Sequence, residues 1–389
     1  MMEYFIDINY KSINKHNEEL CGDKVEYIYD DEGVIIVMSD GLGSGVKANI
    51  LATMTTKIAV TMLKEGASID DTIETIINTL PECKIRKLAY STFTIIRIDK
   101  DNNAYIAEYD NPPYFYYSYK RSIPVPKKER IIGNKKIYES NIKLNLGDAI
   151  CVVSDGAIHA GIGQMLNLGW SWDEINEYLR ELNNVNRSAQ LINGNFIGVC
   201  SNLYNNQPGD DTTIVTLKVR KPEIIDIFIG PPGDKSKDKY LGEIMRNSNN
   251  IKIICGGTTA LIAERELGLE LEVDMDSMRE DVPPIAYMEG FDLVTEGVLT
   301  LGKTLENIKK LNDTSYENVI DNNEYDGCSL LTKYLTDIGT HINFYLGSAV
   351  NPAHQNPNFP ADFNIKKNII HGIISELKKA GKKINVVHI

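Results

Sequence analysis

Val34-Ile35-Ile36-Val37-Met38-Ser39-Asp40-Gly41 is echoed further along the chain by Ala149-Ile150-Cys151-Val152-Val153-Ser154-Asp155-Gly156. Each is a short apolar run of the kind found in strands buried on both faces, and each closes on Ser-Asp-Gly. A strand end fixes a carboxylate on a rigid support, and the glycine after it lets the backbone turn sharply and come close to a ligand. Two more acidic boundaries lie in the same half. Gly22-Asp23 precedes Val25-Glu26-Tyr27-Ile28, and Gly209-Asp210-Asp211-Thr212 precedes an alternating run over residues 213–219. Oxygen-only sites of this type suit hard cations such as Mg²⁺ or Mn²⁺. If Asp23, Asp40, Asp155 and Asp210 converge, they can hold two ions, and two ions ~4 Å apart activate a water for in-line attack on phosphorus. A single Asp-Gly pair is more often a turn than a ligand. Four acidic boundaries, two of them in one strand-Ser-Asp-Gly context, favour the metal site.

The rest of the chain divides near Lys221-Pro222. In the first half Val46, Ile50, Met54, Ile58 and Met62 form a helical stripe at spacing four. Phe93-Thr94-Ile95-Ile96-Arg97-Ile98 and Ala104-Tyr105-Ile106-Ala107 read as a hairpin closed by Asp101-Asn102-Asn103. In the second half strand-like runs at 224–229, 251–255, 341–346 and 384–387 alternate with helical ones. The clearest helix carries Ile365, Ile369, Ile370, Ile373, Ile374 and Leu377 on one face. That alternation predicts an α/β domain with a mainly parallel sheet over 222–389.

Composition narrows the function classes. The 389 residues include 41 Lys+Arg and 54 Asp+Glu, a net charge of −13, with 42% hydrophobic and 24% charged residues. These proportions fit a folded globular chain. The acidic balance argues against nucleic acid as a partner, because phosphate contacts need a concentrated positive field. No apolar run approaches the ~20 residues needed to cross a bilayer, and the first residues lack a signal-peptide pattern. Six scattered cysteines without a CxxC pair argue against a disulfide framework or a zinc ribbon, and the expected location is a reducing cytoplasm.

Cys21-Gly22-Asp23, Ser39-Asp40-Gly41-Leu42-Gly43-Ser44-Gly45, Ser154-Asp155-Gly156 and Gly209-Asp210-Asp211-Thr212 occur in the order and approximate spacing of the PPM/PP2C-type protein phosphatases. The chain most resembles their bacterial SpoIIE/RsbU/RsbX branch, over about residues 1–220. The resemblance implies an α+β fold, a two-layer β-sandwich flanked by helices, holding two or three Mn²⁺ or Mg²⁺ ions. It implies hydrolysis of phosphoserine or phosphothreonine on a phosphorylated regulatory protein. Carried over by position, Asp40 bridges the ions; Asp23 and the Gly41 carbonyl serve one, Asp155 and Asp210 the other. Asp40 and Asp155 are the pair on which catalysis is expected to depend most. Asp211 sits where relatives often have Asn or Asp and is expected to support the ligands. The chain departs from many eukaryotic relatives in having Leu42 where they have His, and in lacking an evident phosphate-holding Arg near the start. His159 is one candidate for the acid; Lys11 and Lys15 are candidates for the phosphate contact. Tyr109-Asp110-Asn111-Pro112-Pro113 falls where relatives have a loop near the site, which makes Asp110 and Asn111 candidate substrate contacts; the alternative is a turn stiffened by its prolines.

Residues 222–389 resemble no well-characterised family, and the expected role is regulatory or ligand-sensing. Cys255-Gly256-Gly257-Thr258-Thr259 lies between a strand and a helix, where backbone N–H groups attract a small anionic ligand; the bland alternative is a tight turn with Thr258 as cap. Gly230-Pro231-Pro232-Gly233-Asp234-Lys235, Glu289-Gly290-Phe291-Asp292 and Thr295-Glu296-Gly297 are expected to share that crevice, beyond the carboxyl ends of the strands. Asn351-Pro352-Ala353-His354-Gln355-Asn356-Pro357 reads as a polar binding or structural loop. Two rivals therefore stand beside the phosphatase. One is a phosphoprotein-binding module without catalysis. The other is a sensor or enzyme for a small phosphometabolite or nucleotide, centred on the second half.

Overall fold

The structure is a computed structural model that describes residues 4–30, 32–79, 91–133, 135–185, 188–313, 325–348 and 361–389. The polar loop at 351–357 and Cys83 lie outside the described residues. The chain divides into two compact units, Met1–Arg220 and Lys221–Ile389.

The first unit is built on two antiparallel sheets. One runs in the order Phe5–Ile13, Thr212–Arg220, Ala149–Val153, Phe115–Ser118, Arg121–Ser122. The other runs Asp23–Asp30, Gly33–Asp40, Phe93–Asp99, Asn103–Tyr109, Lys135–Lys143, Lys128–Ile132. Side chains alternate between the faces of a strand. Ile36 and Met38 point into the layer between the sheets, with Ile150, Val152, Val215 and Leu217 opposite. Ile35 and Val37 point outward and are covered by the helices Gly45–Lys64 and Ile69–Thr79. Ala149, Cys151 and Val153 are covered in the same way by Trp172–Val185 and Ala189–Leu203. With helices outside both sheets, every position from Val34 to Met38 and from Ala149 to Val153 is buried, which is why the sequence runs read as continuously apolar.

The helix expected from the stripe at spacing four forms, as Gly45–Lys64, but most of that stripe is not its buried face. The stripe Val46, Ile50 and Met54 faces outward, with 60%, 53% and 38% of each residue exposed. The helix buries Ala48, Leu51, Ala52, Thr55, Thr56, Ala59, Val60 and Leu63 instead. Small residues let it lie close to the strands, and that close-packed face carries little hydrophobic signal.

In the second unit five strands run parallel in the order Leu293–Thr295, Ile251–Cys255, Ile224–Ile229, His341–Leu346, Lys383–His388. Ile285–Tyr287 and Glu272–Asp274 extend one edge antiparallel. Ile225, Ile227 and Ile229 pack under Val298–Asn312, Gly327–Lys333 and Ala361–Lys379. Phe228 and Ile254 face Asp238–Asn247 and Gly257–Leu267 on the other side. This is the mainly parallel α/β arrangement the alternating pattern predicts. No helix among the described residues is long and apolar enough to cross a membrane.

Candidate metal centre

Strand register gathers the acidic boundaries. Asp40 ends its strand, and Asp23, which opens the neighbouring one, is its direct cross-strand partner. Val153 pairs with Ile214, and beyond it Ser154 Oγ accepts from the Thr213 backbone N–H at 2.8 Å. That link sets Asp155, the first residue of the short helix Asp155–Ile158, beside Asp210-Asp211. The glycines that follow the aspartates are required by close approach. A Cβ on Gly41 would lie 2.0 Å from the Ala48 carbonyl oxygen, and one on Gly156 would lie 2.1 Å from that of Asp211.

The result is a crowd of carboxylates with little positive charge among them. Burial holds the Asp40 carboxyl far above the usual carboxylate range, and Asp23, Asp155 and Asp210 add to the effect. Asp23 is raised for the same reasons, burial first, then Asp211 and Asp155. Asp210 is raised by burial and by Asp155, partly offset by Lys15, whose Nζ lies 3.9 Å from Asp210 Oδ1. The Cys21 thiol is pushed up by burial, Asp23 and Asp211. Ligand atoms of Asp155, His159 and Asp210 all lie within 4.8 Å of one another, with His159 Nδ1 4.0 Å from Asp155 Oδ2.

These donors fit divalent cations. Both carboxylate oxygens of Asp23, and Oδ2 of Asp211, are buried without a hydrogen-bond partner among the described residues. A buried carboxylate oxygen left without a donor is costly, and a cation removes the cost. The set is oxygen-rich with one imidazole, which Mg²⁺ or Mn²⁺ accepts.

Other residues singled out in the sequence take defined places. Asp211 is buried; its Oδ1 accepts from the Lys15 backbone N–H at 3.0 Å, and its Oδ2 lies 2.8 Å from where a Cβ on Gly22 would stand. Asn111 Nδ2 donates to Thr94 Oγ1 at 2.9 Å and to the Val153 carbonyl at 3.4 Å, tying the two sheets together beneath the cluster. Lys11 is buried within its strand. Asp148, just ahead of the strand Ala149–Val153, is buried and accepts from Tyr116, Ser118 and the Asn145 backbone.

Three supports had no motif to mark them. Ser91 bonds to Ser39 and donates to the Asp40 carbonyl at 3.0 Å. Glu18 accepts from Ser44 Oγ at 2.9 Å, at the start of the helix Gly45–Lys64. Tyr204 donates to the Gly156 carbonyl at 2.7 Å. Only the position of Ser44 ahead of a helical run hints at any of them.

In the second unit, Gly256, Gly257, Thr258 and Thr259 do open a helix, with Gly256 and not Thr258 at the cap. The expectation that Glu289 and Asp292 share its crevice fails. They precede Leu293–Thr295 instead of following a strand of the parallel set, and Asp292 Oδ2 accepts from the Lys252 backbone near the amino end of the adjoining strand.

Residues 30–220 match the family model described as stage II sporulation protein E (SpoIIE). No curated protein sequence matches the chain. Among solved structures, the SpoIIE phosphatase domain of Bacillus subtilis is 19% identical, covering 57% of this chain and 95% of its own, with a TM-score of 0.44. The RsbU and RsbW domains of a Mycobacterium tuberculosis protein are 16% identical over 62% and 68% of the two chains, TM-score 0.49. A structure of RsbX in complex with magnesium is 18% identical over 56% and 96%, TM-score 0.41.

Proposed function

Residues 30–220 form a SpoIIE domain of the PP2C-type phosphatase family, and from that premise we propose that the chain is a metal-dependent protein serine/threonine phosphatase acting on a phosphorylated regulatory protein. The observation that carries the reading is the carboxylate cluster around Asp40, with buried oxygens of Asp23 and Asp211 that have no hydrogen-bond partner within 3.5 Å among the described residues. Asp23, Asp40 and the Gly41 carbonyl would hold one Mn²⁺ or Mg²⁺ ion, and Asp40, Asp155 and Asp210 a second. When bound, such ions supply Lewis acidity that lowers the pKa of water and draws charge from a phosphoryl group.

The chain's own residues do the rest. The ladder between Asp23–Asp30 and Gly33–Asp40 fixes two carboxylates so that little reorganisation accompanies binding. Lys15, half-exposed beside Asp210, offers an ammonium to the phosphate of the substrate. His159, half-exposed beside Asp155, can pass a proton to the departing serine or threonine oxygen.

The test is Mn²⁺-dependent hydrolysis of p-nitrophenyl phosphate by the full chain, with Asp155→Asn as control. Activity abolished by the substitution supports the phosphatase. Mn²⁺ binding without any turnover, on this substrate or on phosphopeptides, would point to a phosphoprotein-binding module.

A further inference from the structure

The row of residues just past the carboxyl ends of the parallel strands in the second unit plays no part in the chemistry above. Register defines it. Ile229 pairs with Cys255 and Cys255 with Thr295, so Gly230, Gly256 and Glu296 follow side by side. Ile229 also pairs with Leu346, which adds Gly347. From the central strand Ile224–Ile229 the sheet is built first toward Leu293–Thr295 and then on the opposite flank. Ligands of open α/β sheets bind at such a change of direction.

Four features converge on this row. The helix Gly257–Leu267 starts here with no side-chain cap, behind Gly256 at φ +132. Its first N–H groups lack intrahelical acceptors and carry the positive end of the helix dipole. The neighbouring helix Val298–Asn312 differs, because Glu296, the carboxylate in the row, accepts from Val298 and Leu299 N–H at 3.2 and 3.0 Å. Second, Thr259 is fully buried, and its Oγ1 has no hydrogen-bond partner among the described residues. Helical side chains lean toward the N-terminus, and this hydroxyl lies 3.8 Å from where a Cβ on Gly256 would stand. It therefore looks back into the cap. Third, a Cβ on Gly257 would meet no atom of the described residues within 4 Å. Fourth, Lys366, half-buried on Ala361–Lys379, holds its Nζ 3.4 Å from the Cβ position of Gly230. No carboxylate of the described residues is within ion-pair distance of it. Burial lowers its pKa, against the smaller pull of Cys255 and Glu296, as expected of an ammonium short of partners.

We propose that this row binds the phosphate group of a small phosphorylated molecule, held by the Gly257 and Thr258 N–H groups, the Thr259 hydroxyl and the Lys366 ammonium. The residues of this row all belong to the second unit, and those of the carboxylate cluster to the first.

The experiment uses the full chain in EDTA, so that the carboxylates of the first unit hold no divalent ion and attract no anion. Inorganic phosphate and AMP are titrated by calorimetry, with melting curves in parallel. Calorimetry decides, because phosphate salts stabilise most folded proteins without binding. A saturable isotherm is expected. Lys366→Met should weaken it about tenfold or more, the usual worth of a charge-assisted hydrogen bond. Thr259→Val should weaken it too, while its ligand-free melting temperature stays equal or rises, since an unpartnered buried hydroxyl is a cost. Tighter binding of AMP assigns an ester as ligand; tighter binding of phosphate assigns the free ion. No saturable binding of either probe, or binding unchanged in both variants, overturns the proposal.

Discussion

Asp23 stands directly across an antiparallel ladder from Asp40, the first residue of one strand opposite the last of the next. Like charges placed this way destabilise the pair. In this chain the repulsion is concentrated where the glycines leave no room to relax. A divalent cation turns that repulsion into attraction, so Mn²⁺ or Mg²⁺ is expected to raise the melting temperature, and calorimetry should give a matching isotherm.

Asp40→Asn and Asp155→Asn should each lower phosphatase activity by more than the ~10–100-fold typical of residues that merely support metal ligands. Circular dichroism should show the fold retained. Activity within tenfold of the native chain would remove these residues from the reading.

Metal-free stability should fall as pH rises. Relative to the value of 3.8 for an ordinary aspartate, Asp23 is pushed up to about 7 and Asp40 to about 9, by burial first and then by neighbouring carboxylates. Between 3.8 and those values the folded chain holds protons that the unfolded chain has lost, so unfolding free energy decreases with pH across that window. In EDTA the melting temperature should drop between pH 7 and pH 9, and should drop less in Asp40→Asn. Equal slopes would contradict the electrostatic account. Mn²⁺ affinity should rise over the same range, because binding displaces protons.

Gly41→Ala should destabilise the chain by about 1–3 kcal/mol, the usual cost of forcing extra atoms into a packed site. The added methyl meets the Ala48 carbonyl oxygen at 2.0 Å, so the helix Gly45–Lys64 must move away from the strand end. Mn²⁺ affinity should fall with it, measured on the folded fraction.

His159→Ala separates two roles. A proton donor matters for an alkoxide leaving group and little for p-nitrophenolate, so kcat on a phosphopeptide should fall by about 10²-fold or more while p-nitrophenyl phosphate hydrolysis is nearly unchanged. An equal fall on both substrates would make His159 a metal ligand, in keeping with its distance from Asp155 and Asp210.

The strands were readable because helices cover the outside of both sheets, so Val34 to Met38 and Ala149 to Val153 are apolar at every position. The long helix of the first unit was readable as a helix but not in its orientation. Ala48, Ala52, Thr55, Thr56 and Ala59 make the buried face by being small, while the larger Val46, Ile50 and Met54 stay outside. Within the candidate site, the repeated Ser-Asp-Gly marked Asp40 and Asp155. Ser91 and Glu18 carry no local pattern, since their contacts arise from chain separations of 51 and 26 residues. In the second unit the parallel sheet followed from alternation. The place of Asp292 did not, because the strand it precedes is only three residues long.

The first and last strands of the first unit lie together, with Phe5 against Arg220 and Ile13 against Thr212. The second unit begins at Lys221, so a force applied between Phe5 and Lys221 would load the ladder from one end. Load in this geometry opens a ladder rung by rung, like a zipper, instead of shearing all rungs at once. The last rung, Ile13 with Thr212, adjoins Asp210 and Asp211. A pull between Phe5 and Lys221 would therefore unfasten the unit from its seam inward, and the carboxylate cluster would feel the force only after the rest of the ladder had parted.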